Sequence, residues 1–547
     1  MTPLDALRAA VLDVAEQMAG SGSSALGSIT LERPRKAQFG DYSTNAALLL
    51  APSQGAPPRE VAERLGAALR ERLGANLERF EVAGPGFVNL FLADGWLVGA
   101  LSQVLQAGER FGADGAQKRE RVLVEFVSAN PTGPMHVGHA RNAAYGDSLA
   151  RMLAFHGHDV QREFYVNDAG SQVRKLGESI AAIVAGQAPP EDGYQGEYVV
   201  ELAGEIEGAA QMSAQALGRA AVAAMMVRIE ASLEGFGVLA FDRWYYESTL
   251  HEGSPSPIDH ALAVLAEHGH TYESDGALWL RTTDFGDDKD RVLVRSSGEY
   301  TYFAPDIAYH QDKRERGFER QIDVWGADHH GYVRRMKAAY AALGGDPEEL
   351  ELLIMQLVHL LSKGERAQMS KRSGEFVSLD DLVADIGVDA AHWFLLARSH
   401  DTTVDLDVDL AGQKSNENPV YYVQYAHARI ASMLDKAGAE RVQQATESVK
   451  AADGSLQALE PAERHLIEQL LAFPGELAEA VDRRAPHRIA AYALELSQSF
   501  TAFYRDCRVV GAEPEAVESL RIALCVASRR TIATCLELLG VSAPQRM

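Results

Sequence analysis

The sequence predicts a multidomain α/β protein, with a parallel-sheet domain between an N-terminal α+β domain and a C-terminal all-α helical bundle. Three observations carry that reading. The 547 residues allow three or four domains at about 150 residues each. From Arg121 to about Leu360, short β-rich runs alternate with helical ones, the pattern of a parallel sheet. After Asn416 every periodic run is helical.

Residues 3–20 and 58–73 space their apolar side chains as helices, and LERFEVAGPGFVNLFLA reads as two strands around a Gly-Pro-Gly turn. The helix DGWLVGALSQVLQAGERF and the polar linker GADGAQKRE close this first domain, placed at 1–118. RVLVEFV then reads as a strand, followed by a helix near 137–156, the strand DVQREFYV and a helix from about Ala169. The alternation resumes with RVLVRS, a helix from Pro305 through Arg316, the strand QIDVWG, a helix from about His329 to Leu343 closed by Gly344 and Gly345, and ELLIMQLVHL. Between these, about 190–290 breaks the rhythm with helical segments, and reads as an insertion into a Rossmann-like domain spanning 119–375. A connecting segment, 376–415, leads to the bundle at 416–547. There Asn418-Pro419 reads as an N-cap followed by proline at the first helical position.

Lysine plus arginine is 52 and aspartate plus glutamate 77, a net charge of −25. The acidity is uneven: −2 over 1–118, −20 over 119–415 and −3 over 416–547. Either near-neutral end can therefore present a local basic face to a polyanion. Hydrophobic content of 46% and charged content of 24% exclude a fibrous or disordered chain. The acid-containing start lacks the basic head and apolar core of a signal peptide, and no segment reaches the roughly 18 apolar residues of a membrane span. Cys507, Cys525 and Cys535 form no CxxC pair, which excludes a disulfide framework or a cysteine-built zinc site. A reducing cytoplasm is the expected compartment.

The chemistry concentrates in VEFVSANPTGPMHVGHARNAAYGD, where a strand breaks into a Pro-Gly-Pro-containing loop before a helix. Ligands of parallel sheets bind at such strand-to-helix turns, and a helix N-terminus suits a phosphate. His136 and His139, three apart, face one side of the first turn and can donate to one phosphoryl group, while Gly138 leaves room for a nucleotide. Solvated or N-capping histidines fit an isolated HxGH as well. A second segment, GERAQMSKRSGEFVSL, offers Lys371 as a point charge for leaving phosphates; a solvated basic loop is its blander account. The two segments together are far more specific than either alone.

The pair resembles the HIGH and KMSKS signatures of class I aminoacyl-tRNA synthetases. VEFVSANPTGPMHVGHARN, YQGEYV, YFAPDIAYH, VWGADHHGY, MSKRSGEFVSL and NPVYYVQYAHARI resemble the arginyl-tRNA synthetases of the bacterial type, as do FGDYSTNAALLLA and GPGFVNLFL in the N-terminal domain. The resemblance covers essentially the whole chain. Gln368 replaces the signature's first lysine and Arg372 its final serine, while Lys371 is retained.

The resemblance implies activation of L-arginine with ATP and Mg2+ to an adenylate, then transfer to the 2′-hydroxyl of the terminal adenosine of tRNA(Arg), with activation depending on bound tRNA. It assigns His136, Gly138, His139, His329, Met369, Ser370 and Lys371 to ATP, with His136, His139 and Lys371 catalytic. Glu125, Ser128, Asn130, His139, Tyr302, Asp306 and Asp328 fall to arginine, and Gln195 and Tyr198 carry less weight. Carboxylates facing a planar guanidinium suit arginine better than lysine. Without the resemblance, Asp306 reads as a helix-dipole acid and Glu125 as a strand acid paired with a local base. Asp328, His329 and His330 look metal-like, but an N-cap aspartate beside histidines is simpler, and no bound zinc is expected. Tyr504 and Met547 are assigned to the anticodon loop and the N-terminal domain to the tRNA elbow. Tyr421, Tyr422 and Tyr425 read as core. A monomer is expected, binding neither membrane nor DNA.

Three rivals remain at this stage. A small HxGH adenylyltransferase needs no helical bundle. Other class I synthetases generally carry zinc sites or large editing insertions. A catalytically dead tRNA-binding scaffold would have no use for His136, His139 and Lys371.

Overall fold

The computed structural model describes residues 2–19, 27–34, 36–366, 377–451 and 458–547. Helices α1 (Pro3–Ala19), α2 (Ala46–Gln54) and α3 (Pro58–Leu73) bury Leu7, Val11, Leu50 and Leu65 against an antiparallel sheet. That sheet runs β1 (Leu31–Glu32), β2 (Tyr42–Thr44), β4 (Phe87–Leu92), β3 (Leu77–Ala83), with β3 and β4 joined at the expected Gly-Pro-Gly turn. Helix α4 (Asp94–Ala107) follows. The linker beyond it is stitched to its surroundings: Asp114 N–H donates to Phe155 O and Ala116 N–H to His156 O, both at 3.0 Å.

The central part runs β5 (Arg121–Glu125), α5 (Val137–His156), β6 (Asp159–Val166), α6 (Gly170–Val184), α7 (Glu197–Glu205), α8 (Ala214–Gly235), β7 (Arg243–Tyr246), α9 (Pro257–Glu267), β8 (Thr271–Ser274), β9 (Ala277–Leu280), β10 (Arg291–Val294), α10 (Phe303–Glu315), β11 (Arg320–Gly326), α11 (Val333–Ala342) and β12 (Leu350–Met355). Five strands form a wholly parallel sheet in the order β12-β11-β5-β6-β7. Strand order reverses beside β5, so the crevice above its C-terminal end is the expected ligand site.

The structure corrects three sequence expectations. RVLVRS does not continue the parallel sheet: β10 pairs antiparallel with β9, and β9 with β8, as a separate small sheet. The edge beside β6 is taken instead by β7, from within the stretch 190–290 expected to be helical. Four residues flanked by charge are too short a run to stand out in sequence. ELLIMQLVHL divides after β12; Val358–Ser362 is a new strand, β13, which pairs antiparallel with β14 (Glu365–Arg366).

Beyond the described gap, α12 (Leu379–Ile386) and α13 (Val388–Leu395) lead to β15 (Val404–Asp407), which pairs parallel with β13. After the short α14 (Val408–Ala411), the bundle is α15 (Pro419–Ala437), α16 (Ala439–Lys450), α17 (Pro461–Asp482), α18 (Pro486–Asp506) and α19 (Glu515–Leu538). Pro419 opens α15 as expected, but Asn418 does not cap it with its side chain. Its amide donates to Ala411 O and Gln413 O instead, both at 2.9 Å.

Helix α5 is buried nearly all round because it lies between the sheet and the bundle. Tyr145 donates to Arg484 O (2.5 Å) and Ser148 to Leu538 O (2.8 Å), tying it to the bundle. On its sheet side, a Cβ at Gly146 would stand 2.1 Å from the Phe126 ring, so only glycine permits this approach. No helix among the described residues is long and apolar enough to cross a membrane.

Candidate active site

Strand β5 ends at Glu125, and the chain turns sharply before α5. Val127 (φ 68°) and Ser128 (φ 41°) both take left-handed backbone conformations, a strain that persists only where surroundings enforce it. Those surroundings are visible. Val127 N–H donates to Asn142 Oδ1 at 2.7 Å, and Asn142 Nδ2 donates to Val324 O at 2.8 Å, locking the turn to α5 and β11 together. Ser128 Oγ donates to Glu125 Oε1 (2.9 Å) and accepts from Tyr165 N–H (3.1 Å). Asn130 is exposed at the lip.

His136 is the N-cap of α5, so the blander reading holds in part: its Nδ1 accepts from Gly138 N–H at 3.1 Å. His139 Nδ1 accepts from His136 N–H at 3.3 Å, closing a capping box. With both Nδ1 atoms accepting, the neutral tautomers carry their proton on Nε2. The rings stack at 3.7 Å and 20°. Burial lowers both histidines, His139 to about 3, so both are neutral at pH 7. Gly138 is exposed, and a Cβ there would sit 2.9 Å from His136 Cε1.

Gln368, Met369, Ser370, Lys371 and Arg372 lie outside the described residues. The segment that follows them is anchored to the first signature. Val137 N–H donates to Val377 O (3.2 Å), Leu379 N–H to Met135 O (2.8 Å), and His136 and Ser378 form a β-bridge.

Across the crevice, Asp306 sits half-buried in the first turn of α10 and accepts from Tyr332 Oη at 2.5 Å. Burial raises its carboxyl, against the Tyr332 hydrogen bond. Glu247, which sequence reasoning missed, stands nearby. Burial, opposed by a hydrogen bond from Tyr165 and reinforced by the charges of Asp306 and Asp168, raises it to about 7. Tyr302 is 70% exposed over this acidic pocket, with its hydroxyl 3.4 Å from Ser171 Oγ. Tyr198 donates to Thr132 O at 3.0 Å, packing YQGEYV on the loop before the first signature. Asp328 and His329 pair loosely (3.4 Å) in an exposed 3-10 turn, and Asp328 caps nothing, since Tyr332 is the N-cap of α11. Among the described residues no three or more His, Cys, Asp or Glu gather to hold a metal.

Glu125 does have a local base. Lys313, fully buried on α10, donates to Glu125 Oε2 at 2.6 Å and to Asp323 Oδ1 at 2.8 Å. Asp323, Glu125 and Glu163 lie side by side at one register across β11, β5 and β6, all buried. His310, Lys313 and Arg316 meet them from above: His310 Nε2 to Asp323 Oδ2 (2.9 Å), and Arg316 to both oxygens of Glu163 (2.6 and 2.8 Å). Burial pushes Glu125 up against the pull of Lys313; at Asp323, Lys313 and His310 outweigh burial and hold the carboxyl low. A sequence signal existed: each of the three strands carries an acid among its apolar residues, Glu125 in RVLVE, Glu163 in DVQREFYV and Asp323 in RQIDVWG. Its meaning depended on knowing that they align.

At the other end of the chain, Tyr504 (43% exposed) and Met547 (53%) line one cavity of about 740 Å³ between α15, α18 and the C-terminus. The Arg429 guanidinium lies over the Tyr425 ring at 4.8 Å and the Tyr504 ring at 5.3 Å. Tyr421 and Tyr425 stack at 6.2 Å and are only partly buried, so they are not the core stripe expected.

Three family profiles match the chain: "Arginyl tRNA synthetase N terminal domain" over 5–92, "tRNA synthetases class I (R), catalytic domain" over 100–186 and 241–427, and "DALR anticodon binding domain" over 423–547. An arginine–tRNA ligase of Geobacillus kaustophilus is 45% identical over 543 residues, covering 95% of this chain and 94% of that one. Its counterpart from Bacillus subtilis is 43% identical over 539 residues, covering 96% and 95%. The Thermus thermophilus arginyl-tRNA synthetase structure matches with a TM-score of 0.76 over 99% of this chain and 100% of that one, at 24% identity, a likeness of fold. Identity at this level along nearly the full length of both chains decides the matter: the chain belongs to the bacterial arginyl-tRNA synthetases, the class I arginine–tRNA ligases.

Proposed function

We propose that the chain joins arginine to tRNA(Arg) in two steps on the residues gathered around α5. An oxygen of the arginine carboxylate attacks the α-phosphorus of ATP in line; the bond to the β-phosphate oxygen breaks and pyrophosphate leaves with that electron pair. The 2′-hydroxyl of the terminal adenosine then attacks the adenylate carbonyl, and AMP leaves. The observation that carries this reading is the stacked, neutral His136–His139 pair at the N-terminus of α5, with both Nδ1 atoms turned to backbone N–H groups. Nε2–H donors fixed in this way favour charge that develops on the transferring phosphate.

His136, Gly138, His139 and His329 receive ATP, with Met369, Ser370 and Lys371 closing over the pyrophosphate. The backbone bridges from Met135 and Val137 to Leu379 and Val377 support that pairing of the two signatures. Magnesium, when bound, neutralises the triphosphate. With no three-ligand cluster among the described residues, an ion carried by phosphate oxygens and water fits this chain. Glu125, Ser128, Asn130, His139, Tyr302, Asp306 and Asp328 receive arginine, and we add Glu247 to the acids that face the guanidinium. Unpaired acids in this pocket penalise any uncharged side chain.

Tyr504 and Met547 meet the anticodon loop, where exposed rings stack on bases. The same reading divides the chain into 1–118 for the tRNA elbow, 119–375 for chemistry, 376–415 as connector and 416–547 for the anticodon. Three buried thiols accord with a reducing cytoplasm, and the working unit is a monomer.

ATP–pyrophosphate exchange with each of the twenty amino acids, with and without tRNA, tests the reading. Exchange with arginine alone, dependent on tRNA and lowered about a thousandfold by Lys371→Ala, is expected. Exchange with another amino acid would overturn the pocket assignment, and silence in a folded sample would favour a scaffold.

A further inference from the structure

The N-terminal unit and the bundle are built on separate cores. Helices α1 to α3 and the sheet beside them enclose one apolar cluster around Leu7, Val11, Leu50 and Leu90, whereas Leu97, Val98 and Leu101 of α4 belong to the same cluster as Leu466 and Leu470 of α17. The partly buried Leu4 and Trp96 touch both. The chain crosses from one core to the other at Leu92–Ala93–Asp94, where β4 ends and α4 begins. Ala93, extended at φ −69° and ψ 149°, is the N-cap of α4 and brings no side-chain hydrogen bond to it. So slight an apolar contact leaves such a junction free to bend, because relative motion is the default between units with separate cores.

One arginine closes it. Arg464, near the start of α17, donates through Nη2 to both oxygens of Asp41 (3.0 Å each) and to Leu92 O (3.1 Å), and through Nη1 to Asp94. Asp41 Oδ2 also accepts from Leu92 N–H at 2.6 Å, and Asp94 Oδ2 from Leu459 N–H at 2.8 Å. A single guanidinium thus holds the end of β4, the residue before β2 and the first residue of α4, which lie on both sides of the junction. Four residues on, along the same face of α17, Glu468 accepts from Arg33, just past β1. Arg33 Nη2 also donates to His465 Nδ1 at 3.1 Å, which leaves His465 Nε2–H to donate to Ser499 Oγ on α18 at 3.2 Å. On its bundle side, α17 carries the buried Glu463, which pairs with Arg521 of α19 at 2.6 Å. The helix that receives the N-terminal unit is therefore itself fixed in the bundle.

We propose that Arg464, with Asp41, Asp94 and the Arg33–Glu468 pair, pins this junction and so sets the distance between the surfaces that meet the tRNA elbow and the anticodon loop. Arg464 is a positioning residue, acting on the RNA through the placement of the N-terminal unit. When one ligand bridges two sites, the second contact forms at an effective concentration set by how well their spacing is held. A loosened joint therefore loses affinity although both contacts survive. This rests on the elbow and anticodon assignments proposed for the two ends of the chain.

The test measures Kd by fluorescence anisotropy, at one fixed salt concentration, for whole tRNA(Arg), for its isolated anticodon stem-loop and for tRNA(Arg) with a truncated D-loop. Arg464→Met is expected to raise Kd for whole tRNA about tenfold, and KM for tRNA with it, while Kd for the stem-loop and kcat at saturating tRNA stay unchanged. Arg464→Lys, which keeps the charge but not the planar fork, is expected to recover part of the loss. Glu468→Gln, at the second contact, is expected to show the same split with a rise of about threefold, and carries the test if Arg464→Met does not fold. A folded Arg464→Met with an unchanged Kd for whole tRNA overturns the pin. An equal rise for whole tRNA and stem-loop overturns it too, since that is damage to the bundle alone. Wild type that binds the D-loop-truncated tRNA as tightly as whole tRNA would instead overturn the elbow assignment itself.

Discussion

Beneath α10 the carboxylates of Glu125, Glu163 and Asp323 are buried and each meets a basic side chain at 2.6 to 2.9 Å, whereas around Tyr504 the cation Arg429 lies on aromatic faces at the rim of an open cavity. In the function proposed above, the contrast follows from what each end meets. A guanidinium and an ammonium a few ångströms apart are told from near relatives by fixed, desolvated charge, which water cannot replace. A strand of RNA presents ring faces and phosphates over a large area, and stacking with screened charge tolerates adjustment. The first design is rigid and costly to break, and the second is soft.

The largest consequence of that difference is on stability. Lys313→Met leaves Glu125 and Asp323 buried without their base, and urea unfolding should register a loss of about 3–5 kcal/mol. A loss under 1 kcal/mol would mean the row is hydrated and the contrast false. Next comes Asp306→Asn, which should lower kcat/KM for arginine in pyrophosphate exchange about a hundredfold, with KM for tRNA unchanged. Tyr504→Ala should do the reverse, raising KM for tRNA about tenfold through one lost stacking contact while leaving arginine KM alone. Equal effects of these two variants on both substrates would erase the distinction between the ends.

A smaller effect is expected from pH. His136 and His139 are held below their ordinary range by burial, His139 at about 3. An unfolded chain protonates both near pH 6.5 while the folded one does not, so their stability is complete above about 6.5 and is lost as pH falls toward the folded value. His139→Gln should flatten the decline of the urea midpoint between pH 7 and pH 5, by on the order of 1 kcal/mol. A variant and wild type with parallel declines would place the proton elsewhere. The smallest change belongs to the soft end: Arg429→Met should alter stability by no more than about 0.5 kcal/mol.

The readable parts of this protein were those with long, regular patterns. Helix α5 lies at Val137–His156 as its spacing predicts, and β6, β11 and the β3–β4 hairpin also fall where their runs placed them. Strand β7 was not legible, since four residues inside a mainly helical stretch give too little periodicity, and RVLVRS has strand propensity without any mark of which sheet it joins. At the site, HxGH was visible because all its parts lie within one helical turn. Glu247 was not, because nothing near Tyr246 or Ser248 marks it as facing Asp306. Glu125 was found as an acid, but not as the partner of Lys313.

By itself the sequence determined the helices and most strands, the HxGH turn and the family resemblance, because capping, turn chemistry and periodicity act between residues a few positions apart. Tertiary structure alone decided that three acids on three strands share one register and that one helix carries their three bases. Glu125 and Lys313 are 188 residues apart in the chain and 2.6 Å apart in space. Coulomb attraction and desolvation depend only on that second separation and on burial, and neither is written in the order of the residues.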